Sequence, residues 1–198
     1  MFEKAVQKLV DGQIEKGSLK EEERNIYRYG YQVLIEFCIN IIVTILIAVL
    51  FQAFKTVIVF TIAYLLIRGY VGGYHAKTSL GCFCLSAGML ISVILVIQYI
   101  NSMNPLKWIL LIPEIVLIPF IFKQAPLPVA NKPISENERI HFKRRVKQLY
   151  SIELMTTVIL LYFGEVSCAL SILAVHVVLF VMVLVQMLSN WKAARTVE

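Results

Sequence analysis

Arg68-Gly69-Tyr70-Val71-Gly72-Gly73-Tyr74-His75-Ala76-Lys77-Thr78-Ser79-Leu80-Gly81-Cys82 holds four of the chain's nine glycines and lies between two apolar runs, 56–67 and 79–100. A short polar joint between two such runs is the pattern of a chain that crosses hydrocarbon, turns, and crosses again. The composition agrees. The chain is 59% apolar with a mean hydropathy of +0.75, which excludes a soluble domain folded around a single core.

Working outward from the joint, apolar runs at 31–51, 56–67, 79–100, 108–122, 150–163 and 166–189 predict an all-α polytopic membrane protein of about six transmembrane helices. A charged region, 1–30, precedes the membrane domain, 31–198. The second and fifth runs fall short of the ~20 residues a straight span needs. They are expected to tilt, to extend into their flanks or to be buried in protein, and four spans plus re-entrant segments is the alternative. With the N-terminus inside, the N-terminal region, the joint, the loop 123–147 and the C-terminal tail carry 17 of the 19 lysines and arginines. The positive-inside rule therefore places both termini and the joint on the cytoplasmic side of the cell membrane. The first apolar run begins too late for a removable signal peptide. The net charge of +6 reads as topology and attraction to anionic lipid, and no basic helix interleaved with stacking aromatics suggests nucleic acid.

Phe2, Val6, Leu9, Val10 and Ile14 share one face of a helix, with Lys4, Lys8, Asp11 and Glu15 opposite. This predicts an amphipathic helix lying at the membrane interface, or equally one packed on the protein's own loops. Gly17 should end it. Ser18 with Glu21 forms a capping-box pattern for the next helix.

The joint carries the chemistry. A thiol becomes a good nucleophile when a base or a helix N-terminus favours the thiolate, and His75 and Cys82 flank the start of the third span. In one continuous helix the two would sit about 10 Å apart along the axis, so the chain between them has to fold back. Gly72 and Gly73 allow the positive φ angles and close backbone approach of such a turn. Thr78 and Ser79 are N-cap candidates, and with Ser79 as the cap Cys82 falls in the first turn, beside N–H groups able to hold an oxyanion. Cys82 and Cys84 point about 200° apart on a helix, which argues against a metal site. Cys38, Cys84 and Cys168 read as inert packing thiols. The local pattern alone is equally served by an interfacial His75 and a packing Cys82.

Arg68, Gly73, His75-Ala76-Lys77 and Cys82, together with the loop Ala125-Pro126-Leu127-Pro128-Val129-Ala130-Asn131-Lys132-Pro133-Ile134, resemble the AgrB (accessory gene regulator protein B) family of membrane peptidases. The resemblance covers nearly the whole chain. It implies a cysteine endopeptidase without cofactor, which removes the C-terminal tail of a short AgrD-type precursor in quorum sensing and promotes ring closure to a thiolactone or lactone. It implies catalytic roles for His75 and Cys82 and a need for Arg68 and Gly73 in activity; Lys77, Ser79, Asn131 and Lys132 are further candidates for substrate binding or support of the site. The precursor and membrane lipids are the expected partners, with a homodimer as a further option. The basic run Lys143, Arg144, Arg145 and Lys147 suits an acidic peptide tail, anionic lipid or a plain topology signal.

Two acids inside the spans stand apart from this reading. Glu36 can reach the interface, whereas Glu114, after Pro113 in the fourth run, is costly unless paired or protonated. Glu114 supports an alternative reading as a small transporter with a proton or ion site, although no internal repeat accompanies it. A non-catalytic membrane scaffold is the third option.

Overall fold

The computed structural model describes residues 3–72, 78–103, 106–127 and 135–195. Among them lie α1 (Glu3–Glu15), α2 (Arg24–Leu50), α3 (Phe54–Val71), α4 (Ser79–Met103), α5 (Glu114–Gln124), α6 (Glu136–Phe163) and α7 (Val166–Arg195). Short 3-10 turns precede α2 (Glu21–Glu23) and α5 (Lys107–Leu111). The chain divides into two compact units, Met1–Ile47 and Ala48–Glu198.

In the first unit Gly17, at φ +70°, ends α1 as expected. Its N–H donates to the Ile14 carbonyl, and that of Ser18 donates to the Gln13 carbonyl. Val6 and Val10, one turn apart, are buried, whereas Leu9 is exposed. The expected Ser18 cap is not used. The following turn starts at Glu21, where the Glu23 carboxylate accepts from the Lys20 N–H at 3.3 Å, because Arg24 draws Glu21 and Asp11 to itself. Gln13 and Tyr31 exchange hydrogen bonds of 2.9 and 3.1 Å.

In the second unit α7 is the hub, with α3, α4, α5 and α6 packed around it. More than half of the α7 span is buried, the largest share of any. Cys168, Ile172, Val175, His176, Leu179 and Val183 line its inner side at helical spacing. The other helices bury one stripe and turn Ile58, Ile62, Leu65 and Leu66 of α3, for example, outward. In lipid such a bundle is held by close packing and internal polar contacts, since burial of apolar surface gives little net drive. Of the four cysteines only Cys168 is buried, so the expected packing role fails for Cys38 and Cys84.

Among the described residues five helices are long and apolar enough to cross a membrane, beginning at Glu21, Phe54, Leu80, Glu136 and Val166. The short fifth run gains its length by joining the preceding basic segment. Ser135 caps α6 through a reciprocal box with Glu138, so residues 136–147, expected as loop, are helical. The fourth run, 108–122, is not one helix. Pro113 stands at the junction, and the segment divides into the 3-10 turn and the 11-residue α5, itself containing Pro119.

Candidate active site

The C-terminal end of α3 is built to be met by another strand of backbone. Gly72 adopts φ +77° and ψ −159°, a conformation that only glycine takes readily. A Cβ there would stand 2.9 Å from the Leu127 carbonyl oxygen, and the Leu127 N–H donates to the Val71 carbonyl at 3.1 Å. The segment after α5 is thereby latched onto the joint. Arg68 spans the same corner, with Nη1 donating to the Gly72 carbonyl and Nε to the Tyr64 hydroxyl at 3.1 Å. Tyr64 in turn donates to the Met182 sulfur on α7 at 3.3 Å.

On the far side of the joint Thr78, not Ser79, caps α4. Its Oγ1 accepts from the Gly81 N–H at 3.1 Å, and its carbonyl accepts from the Cys82 N–H at 2.9 Å. The cap shifts because Ser79 is already helical, which puts Cys82 at the end of the first turn and engages two of the N–H groups expected to hold an oxyanion. Cys82 is exposed. Leu85 and Met89, three and seven residues on, share its helix face. Both line an apolar groove of ≈ 380 Å³ whose other wall is Val177, Val178, Val181, Met182 and Val185 of α7. Cys84 faces elsewhere. Gly73, His75, Lys77, Asn131 and Lys132 lie outside the described residues.

The basic run flanks this corner. Tyr70 of α3 packs edge-on against Phe142 of α6, with ring centroids 5.8 Å apart. Beyond it Ile140, Lys143, Arg144, Lys147 and Gln148 form a shallow groove of ≈ 430 Å³.

A second polar cluster is buried. His176 Nδ1 lies 3.0 Å from Glu114 Oε1, and its Nε2 lies 3.0 Å from Glu153 Oε2. Tyr150 donates to Glu114 Oε2 and stacks on the imidazole, ring centroids 3.9 Å apart. Glu114 is thus paired across three helices rather than stranded in the apolar run.

The accessory gene regulator B family matches residues 2–189. The chain belongs to that family. An AgrB-like protein of Clostridium perfringens strain SM101 is 29% identical over 154 residues, covering 72% of this chain and 70% of the relative. AgrB-like protein 2 of C. perfringens strain 13 is 27% identical over 154 residues, covering 73% and 71%. No solved structure matches. Membership makes the chain a multi-pass membrane protein of accessory gene regulator quorum sensing, in a family that processes a peptide of the AgrD type.

Within this AgrB member the structure brings Arg68 and Gly72 together with Leu127 and sets Cys82 at the entry of α4. Sequence reading missed Tyr64, Tyr150, Glu153 and His176. A signal was available for the last two, since an ionisable residue in an apolar span is a functional candidate by default.

Proposed function

We propose that this chain is a membrane-embedded cysteine endopeptidase in which His75 and Cys82 remove the C-terminal tail of an AgrD-type precursor. His75 takes the Cys82 proton, the thiolate adds to the scissile carbonyl, and the C–N bond breaks as the departing amine receives the proton from His75. A thioester joins Cys82 to the truncated peptide. A thiol or hydroxyl within that peptide then attacks the thioester carbon, closing a thiolactone or lactone ring, while Cys82 leaves as thiolate and is reprotonated through His75. Thioester exchange is nearly isoenergetic whereas hydrolysis is downhill, so a site at the membrane boundary that limits water favours the ring.

The observation that carries this reading is the place of Cys82, exposed in the first turn of α4 on the face that continues as the apolar wall of the α4–α7 groove. Such a groove suits an apolar stretch of precursor running into the membrane, while Lys143, Arg144 and Lys147 beside the joint suit an acidic tail. Arg68, already bound to Gly72 and Tyr64, acts as the brace of the corner. Gly73 supports the turn, and Lys77, Ser79, Asn131 and Lys132 bind substrate or support the site around it. The corner lies on the cytoplasmic side by the charge rule.

Substitution separates the two neighbouring thiols. Cys82→Ala and His75→Ala are expected to abolish precursor cleavage in membranes while insertion persists, and Cys84→Ala to keep it. Full activity in Cys82→Ala, or loss in Cys84→Ala alone, contradicts the assignment.

A further inference from the structure

We propose that Glu114, Glu153 and His176 form an intramembrane proton-binding site, separate from the peptidase corner, that takes a third exchangeable proton on Glu153 Oε1. Each of the two imidazole–carboxylate contacts of 3.0 Å needs one proton between nitrogen and oxygen. Two protons shared among one imidazole and two carboxylates leave a net charge of −1. His176 is 0% exposed, and Glu114 and Glu153 are 3% and 6% exposed, so that charge stands among apolar helices, where an uncompensated ion is strongly disfavoured.

The place for the neutralising proton is specific. Glu114 has both oxygens engaged, Oε1 by His176 and Oε2 by Tyr150. Glu153 has only Oε2 engaged, and its buried Oε1 has no hydrogen-bond partner among the described residues. A proton arriving from the aqueous phase forms an O–H bond there, and the cluster charge rises from −1 to 0. The two carboxylates approach opposite ring nitrogens, so no single point among the described residues gathers three donor atoms for a metal ion.

Among the described residues no lysine or arginine pairs with Glu114 or Glu153, whose only cationic partner is His176. α4 carries no charged side chain. On α3, Lys55 approaches Glu165 at 4.0 Å and Arg68 binds Tyr64 and Gly72. On α5 the other charged residue is Lys123 in the last turn. On α6 the Lys147 ammonium sits over the Phe122 ring, which itself packs on Tyr150, one ring removed from Glu114. Glu114 and Pro113 also help wall an apolar cavity of ≈ 330 Å³ between the 3-10 turn, α4 and α7. His176 touches both acids and so can pass a proton between them.

The test uses the full-length protein in lipid vesicles and reads carboxyl groups by infrared spectroscopy at mildly alkaline and mildly acid pH, comparing wild type with variants at each pH. The expected result is a carbonyl band of a protonated carboxylic acid that shifts in D2O, is lost in Glu153→Gln and persists in Glu36→Gln. Absence of the band in the wild type throughout that range overturns the proposal without any variant. A band unchanged in a Glu153→Gln protein of normal helix content overturns it as well. Should Glu153→Gln fail to insert, Glu153→Asp serves in its place, and the band is expected to change frequency. A band at its original frequency in Glu153→Asp contradicts the assignment.

Discussion

Gly72→Ala is the sharpest perturbation of the corner where α3 meets the segment after α5. Its backbone conformation, φ +77° and ψ −159°, is disfavoured for alanine by about 1–3 kcal/mol. The new Cβ also meets the Leu127 oxygen at 2.9 Å, a backbone atom that can yield only by withdrawing the segment after α5. Taking the conformational term alone, the population of the latched corner falls about 5- to 150-fold, and the cleavage rate falls with it if cleavage needs that corner. Gly69→Ala is the internal control. It lies within α3, an added Cβ there meets nothing within 4 Å, and alanine is the better helix former. Initial rates of precursor cleavage in membranes, normalised to inserted protein, compare the two. A Gly72→Ala enzyme as fast as wild type, or a Gly69→Ala enzyme equally slow, refutes the reasoning.

Arg68→Lys keeps the charge but cannot bridge the Gly72 carbonyl and the Tyr64 hydroxyl together. The same cleavage assay should fall about tenfold, the worth of one hydrogen bond to a charged group. Tyr64→Phe removes one contact at each side and should lose less. For topology, if the 3-10 turn and α5 together carry the chain back across the membrane between α4 and α6, a cysteine replacing Asn104 should react with an impermeant reagent added outside cells, and one replacing Asn137 only after lysis. Labelling of both positions from outside would mean that the segment between α4 and α6 does not cross, and labelling of position 137 alone would reverse the orientation.

Much of the fold was legible because α2, α3, α4 and α7 are apolar along nearly their whole length, and hydrocarbon leaves a backbone few alternatives to a helix. The start of α6 was not, since residues 136–147 are polar enough to read as loop, and their helix is fixed by Ser135 with Glu138 and continuity with the apolar half. α5 escaped because an apolar run says nothing of how Pro113 will divide it. At the joint, glycine's freedom predicted the Gly72 turn, but its partner Leu127 is distant in sequence and only tertiary packing brings it there. The Glu114–His176–Glu153 cluster was half legible. Glu114 demanded a partner, yet the choice of partner depends on which faces of α6 and α7 turn inward, and their apolar sequences do not mark this.

The central claim is a covalent bond between Cys82 and the truncated peptide, and trapping it is the most direct measurement. Wild-type protein is mixed with a precursor whose internal ring-closing cysteine is replaced by alanine, quenched in acid and examined by intact mass. Cleavage should still occur, with a mass of enzyme plus truncated peptide that disappears on hydroxylamine treatment and never forms in Cys82→Ala. Release of linear product at the normal rate, with no hydroxylamine-sensitive adduct at any quench time, would mean that water attacks the precursor directly and that the acyl-enzyme does not exist.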